Sequence, residues 1–241
     1  MIAMTNKGYT YLMGFKDGLP IALGYLSVSF TFGITAVNMG LPPITAILIS
    51  LTNVTSAGQV AGIGIIAGHG GLIEMAMAQL IINLRYALMS LSLSQKLDEK
   101  YNLFHRLTTS FCITDEVFAV AAAKPGEIPA RYMYGLITLP YLFWAGGTAI
   151  GALLGAILPE PVKSALGIAI YGMFIAIIIP PAKKSVGVLT VALISAALSC
   201  IMYYVPIFSG ISSGISIIIC TVIGAALGAI LFPRPTENEN D

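Results

Sequence analysis

Two stretches of the chain, residues 18–73 and 185–233, contain no Lys, Arg, Asp or Glu. A water-facing surface cannot be built from such runs, so the pattern predicts helices that cross a lipid bilayer. Charged residues, with Pro and Gly as punctuation, place spans near residues 18–38, 43–67, 72–95, 105–123, 132–158, 163–182, 185–206 and 211–232. Each crossing needs about 20 predominantly apolar residues, and the chain has room for about eight. The expected fold is therefore all-α, a polytopic integral membrane protein of about eight transmembrane helices. The second span is expected to be broken, because Asn53-Val54-Thr55-Ser56-Ala57-Gly58-Gln59 crowds small and polar side chains into an apolar run. Irregular backbone survives at membrane depth only where protein buries it or it lines a wet cavity. The 132–158 run would be about 40 Å long as one straight helix. It must tilt or break, and Pro140 offers the break point.

Composition sharpens this picture. Charged residues make up 10% of the chain and hydrophobic ones 57%, where soluble domains carry about a quarter charged. Mean hydropathy is +0.89. The expected organisation is an N-terminal cytoplasmic segment at 1–17, a helical bundle at 18–233 and a disordered, Pro- and acid-rich tail at 234–241. The first apolar run is too long, and lacks a small-residue cleavage site, to be a removable signal peptide. Lys7, Lys16, Lys124, Arg131, Lys183, Lys184 and Arg234 fall on one side of an eight-span topology, and Lys96, Lys100, Arg106 and Lys163 on the other. The excess of positive charge places both termini in the cytoplasm.

A net charge of +1, with no basic patch and interleaved aromatics, gives no reason to expect nucleic acid as a partner. Cys112, Cys200 and Cys220 lie far apart in apolar runs and read as small hydrophobes. His69 and His105 have no second ligand at metal spacing, so no metal or other cofactor is expected. HExxH, P-loop and GxSxG motifs are absent, and an enzyme is not expected. Gly58-x-x-x-Gly62, Gly147-x-x-x-Gly151, Gly151-x-x-x-Gly155 and Gly224-x-x-x-Gly228 have the spacing that lets helix backbones approach in lipid.

Against this apolar background the few intramembrane ionisable groups are functional candidates. Arg85 lies mid-span, about ten residues from either predicted end, too far for comfortable snorkelling. It needs an acidic side chain, or a substrate carboxylate that its guanidinium can grip bidentately. Asp115 and Glu116 supply the acids, and adjacent helical residues point about 100° apart. One of them pairs with Arg85, and the other faces a cavity where it can hold a proton or grip an ammonium. Gln79, Asn83, Tyr86 and Ser90 form a polar stripe on the third span, as do Ser27, Thr31, Thr35 and Asn38 on the first. Glu74 sits near a span end and reads as interfacial. The expected substrate-binding residues are Asn53, Ser56, Gly58, Gln59, Asn83 and Arg85, with Asp115 and Glu116 for coupling to a proton or amine.

Several short motifs carry a family resemblance. They are Gly14-Phe15-Lys16-Asp17-Gly18-Leu19-Pro20, Ser56-Ala57-Gly58-Gln59, Asn83-Leu84-Arg85, Thr114-Asp115-Glu116-Val117-Phe118-Ala119 and Tyr171-Gly172-Met173-Phe174-Ile175-Ala176. In this order and separation the chain resembles the AzlC family, large subunits of branched-chain amino-acid exporters. Tyr86 departs from the His that follows the third motif in many relatives. The resemblance implies export of leucine, isoleucine, valine and often methionine, driven by the proton motive force. It also implies a hetero-oligomer with a small AzlD-like membrane protein. The rival expectation is a channel, or a scaffold subunit that performs no transport itself.

Overall fold

The structure, a computed structural model, describes residues 8–159, 161–162, 175, 178–208 and 210–232. Most of the expected 163–182 span, most of the Tyr171–Ala176 motif and the whole 234–241 tail lie outside the described residues. Within them the elements are helical: α1 (Tyr11–Asn38), α2 (Pro43–Thr52), α3 (Ser56–Ala67), α4 (Leu72–Ser94), α5 (Leu103–Ser110), α6 (Asp115–Ala122), α7 (Ala130–Leu154), α8 (Val186–Tyr204) and α9 (Ser213–Leu231). Five of these, α1, α4, α7, α8 and α9, are long and apolar enough to cross a membrane. The fold is all-helical and of membrane type.

The centre of the structure is the pair α1 and α7, which pack side by side and run parallel. Gly14 and Gly18 lie against Tyr132 and Leu136, whereas Gly33, further along α1, lies against Thr148 and Ala152 of α7. From the other side Gly135, Gly147 and Gly151 sit on the backbones of Tyr11, Leu26 and Phe30. A Cβ at Gly135 or Gly151 would overlap the facing carbonyl. Lipid supplies no hydrophobic drive between helices, so close backbone approach and interhelical hydrogen bonds do the holding. Three such bonds cross the seam: Tyr11 Oη donates to Thr138 Oγ1 at 3.0 Å, Ser29 Oγ to the Phe143 carbonyl at 3.2 Å, and Tyr132 Oη to Asp17 Oδ2 at 2.7 Å. The buried core beside them includes Tyr25, Val117, Tyr132, Met133, Leu136 and Trp144.

Three sequence expectations need correction. Helix α1 begins at Tyr11 rather than residue 18, because the Thr10 side chain accepts from the Met13 amide and starts the helix there. Helix α7 runs unbroken through Pro140, whose ring sits beside Gly18, where no side chain competes for the space. The expected 105–123 span is two short helices, because Thr114 is extended and its hydroxyl accepts from the Val117 amide at 3.3 Å, opening α6 afresh. A comparable gap separates α2 from α3. There Asn53 and Thr55 are extended, and Asn53 Oδ1 accepts from the Thr55 amide at 3.1 Å and the Thr55 hydroxyl at 2.6 Å.

Two further contacts hold this frame. The Lys96 ammonium donates to the carbonyls of Ala122 and Lys124, both at 2.5 Å, at the C-terminal end of α6, where a cation is favoured. Glu74 is not merely interfacial: its Oε1 accepts from Ser212 Oγ at 2.5 Å and the Gly214 amide at 3.1 Å, tying α4 to the start of α9.

Candidate functional site

The breaks before α3 and α6 bring two helix N-termini to one small, partly open cavity of about 20 Å³, lined by Val54 and Ser56 from the first and Thr114, Asp115 and Glu116 from the second. Tyr25 of α1, Tyr86 of α4 and Trp144 of α7 complete the wall. Asp115 and Glu116 occupy the first turn of α6, where free amides and the helix dipole favour negative charge. That local chemistry, Thr at the cap followed by two acids, explains why two carboxylates are tolerated next to each other inside an apolar fold.

The acids have different partners. Arg85 Nη1 donates to Asp115 Oδ2 at 2.5 Å, and Arg85 Nη2 donates to Tyr86 Oη at 3.0 Å. The guanidinium carbon stands 4.8 Å from the Tyr86 ring centroid. Glu116 Oε2 instead lies 2.6 Å from Tyr25 Oη, which is also 2.5 Å from Thr114 Oγ1. The Tyr25 ring meets Trp144 edge-on, with centroids 5.1 Å apart. Trp144 is 2% exposed, and its indole N–H has no hydrogen-bond partner.

On the far side of Arg85 is a second, open and mainly apolar groove of about 640 Å³. Ala57, Val60, Ala61 and Gly64 of α3, Ile81, Ile82 and Arg85 of α4, and Ile217 and Thr221 of α9 line it. The Arg85–Asp115 pair thus connects an apolar groove to a small polar cavity, since Arg85 lines the one and Asp115 the other.

Of the residues singled out from sequence, Ser56, Arg85, Asp115 and Glu116 line one cavity or the other. Asn53, Gly58, Gln59 and Asn83 line neither, and they brace the walls. Asn53 shapes the gap before α3, as described. Gln79 Nε2 donates to the Gly58 carbonyl at 2.7 Å while Asn83 Nδ2 donates to Gln79 Oε1 at 3.0 Å, so these two residues of the α4 stripe hold α3, whereas Tyr86 faces the polar cavity. Gln59 is 1% exposed and turns away, its Nε2 donating to Ser50 Oγ at 3.0 Å, which lies 2.7 Å from Thr148 Oγ1 on α7. The stripe of α1 is local: the hydroxyls of Ser27, Thr31 and Thr35 bond back to carbonyls of their own helix. His105 faces Tyr134, Nδ1 to Oη at 2.9 Å.

Tyr25 and Trp144 were missed from sequence. Tyr25 sits in an apolar run and reads as core. Trp144 left a signal, being the chain's one tryptophan and lying well inside a span rather than at the interface where tryptophan is usually found.

Comparison with known proteins follows the same boundaries. Residues 20–158, which hold every residue lining the polar cavity, match the family described as AzlC protein. An uncharacterized membrane protein of Archaeoglobus fulgidus is 33% identical over 183 residues, covering 75% of this chain and 77% of the relative. Inner membrane protein YgaZ of Escherichia coli is 27% identical over 206 residues, covering 82% and 84% respectively. An uncharacterized membrane protein of Helicobacter pylori is 30% identical over 156 residues, or 61% and 67%. No solved structure matches the chain significantly. With the match extending over more than half its length, from the middle of α1 past the end of α7, the chain belongs to the AzlC family of membrane proteins.

Proposed function

We propose that the protein is a secondary transporter that exports branched-chain amino acids, leucine, isoleucine, valine and often methionine, across the cytoplasmic membrane. The observation that carries this reading is Arg85, a guanidinium at the wall of an apolar groove, held by an acid that a substrate carboxylate can replace. A carboxylate takes the fork of an arginine bidentately, and an aliphatic side chain of the substrate gains by leaving water for the groove. Asp115 and Glu116 supply negative charge for the substrate amine or for a coupled proton, with the proton motive force as the driving energy.

In this reading α2 and α3 are the two halves of one interrupted span, and about eight spans make up the whole, with both termini cytoplasmic. Half-helices whose N-termini meet in the middle of a bundle are a recurring way to build a carrier site in lipid. A small AzlD-like membrane protein completes the transporter.

The test is leucine counterflow in proteoliposomes. Vesicles preloaded with unlabelled leucine receive labelled leucine outside, with this chain alone and then with its small partner. Saturable transient accumulation, competed by valine or methionine, is the expected result. Non-saturating flux would replace the carrier with a channel. Flat traces from folded, inserted protein in both preparations would refute branched-chain transport and leave a scaffold role.

A further inference from the structure

We propose that Glu116, working with Tyr25 and Thr114, is the proton-binding site of this protein, separate from the Arg85 groove that takes the amino acid. The assignment deepens the transport reading above and rests on it.

Two carboxylates share the first turn of α6, and only one of them is neutralised. Among the described residues the ion pairs are Arg85–Asp115 and Lys124–Asp17. The charged and titratable groups around Glu116 are Asp115 beside it, Arg85 and Tyr86 on α4, and Tyr25 on α1. Arg85 is committed to Asp115 and Tyr86. Helices α3 and α7 contribute only Ser56 and Trp144 to the wall, neither of them ionisable near neutral pH. An intramembrane carboxylate without a cationic partner is expensive, and binding one positive charge removes that expense.

The size of the cavity says which charge. About 20 Å³ admits a single water-sized species, whereas a benzene-sized molecule needs on the order of 150 Å³. An amino acid does not fit. Among the described residues no three His, Cys, Asp or Glu side chains cluster to hold a metal ion, and this wall offers two carboxylates, one of them already paired with Arg85. What fits is a proton carried on Glu116.

The hydroxyl geometry accommodates both protonation states. Tyr25 Oη has one proton and stands within hydrogen-bonding reach of two acceptors, Glu116 Oε2 at 2.6 Å and Thr114 Oγ1 at 2.5 Å. With Glu116 ionised, Tyr25 donates to the carboxylate and Thr114 donates to Tyr25. With Glu116 protonated, the acid donates to Tyr25, which turns its proton to Thr114. Loading forms one O–H bond on Glu116 and converts a hydronium to water. Release to water on the other side reverses it, and no other bond changes. Arg85 answers each step through Asp115, its shared neighbour, so the charge on Glu116 can influence how readily Asp115 is given up for a substrate carboxylate.

The experiment measures leucine exchange and leucine-driven proton movement together, in vesicles holding a trapped pH dye. It uses the full chain with its small partner, as wild type, Glu116→Gln and Glu116→Asp. Wild type is expected to move protons with leucine, and its exchange to vary with pH. Glu116→Gln should lose leucine-driven proton movement and the pH dependence while still exchanging leucine, and Glu116→Asp should recover both. Proton movement with leucine at the wild-type rate in Glu116→Gln overturns the assignment. So does complete loss of exchange in folded Glu116→Gln, which would make Glu116 a substrate or structural residue. If Glu116→Gln does not insert, Tyr25→Phe carries the same test: undiminished proton movement overturns the relay, and its loss with exchange persisting supports it. A wild type that exchanges no leucine overturns the transport reading itself, and the proton site with it.

Discussion

Replacing Arg85 by lysine keeps the positive charge and removes the fork. The guanidinium reaches two partners at once, Asp115 Oδ2 at 2.5 Å through one nitrogen and Tyr86 Oη at 3.0 Å through the other. A single ammonium cannot reproduce that planar, two-point grip. The loss is at least one hydrogen bond to a charged group, about 1.5–3 kcal/mol. The Arg85 and Asp115 side chains are 43% and 33% exposed, so solvent screening argues for the lower end. About 1.5 kcal/mol corresponds to roughly a tenfold change in affinity. Leucine counterflow at graded external concentrations, normalised to inserted protein, is therefore expected to show a half-saturation about ten times higher in Arg85→Lys. Arg85→Ala, which leaves Asp115 without its cation, should show no measurable exchange. A half-saturation within about twofold of wild type in Arg85→Lys would mean that the fork does not hold the substrate, and the carboxylate-binding role would be withdrawn.

Other perturbations test the frame around the site. Gly151→Val puts a side chain onto the Phe30 carbonyl at the α1–α7 seam, and should cost about 1–3 kcal/mol or more, read as a lowered melting temperature in detergent. An unchanged melting temperature would show that the two helices are not in backbone contact. Glu74→Ala removes the acceptor for Ser212 Oγ and the Gly214 amide, and by analogy with lost caps should cost about 0.5–2 kcal/mol. Faster hydrogen exchange confined to the first turn of α9 is the expected readout. Lys96→Met takes away two hydrogen bonds to carbonyls at the end of α6, each about 1.5–3 kcal/mol for a charged donor. It should lower the melting temperature without altering the leucine half-saturation of the protein that remains folded, since Lys96 lines neither the groove nor the polar cavity.

Much was legible in the chain by itself. Membrane class follows from composition, because two long charge-free runs have no aqueous solution whatever their packing. The same argument marks Arg85, Asp115 and Glu116, since the cost of an ion in lipid depends on the ion and the solvent and hardly on the fold. Helix α4 was placed to within a residue, because Gly71 and Gln95 bound a run that needed no tertiary help. What stayed hidden depends on partners distant in sequence. Asp115 and Glu116 are interchangeable on paper, and only the capping of α6 by Thr114 turns one to Arg85, thirty residues earlier, and the other to Tyr25, ninety-one residues earlier. Tyr25 and Trp144 look like core aromatics until the parallel packing of α1 and α7 brings them together across the glycine seam. The solvent selects which residues must be exceptional, a one-body cost that sequence exposes. Their roles are set by pairwise contacts across the bundle, and those exist only once the helices have docked.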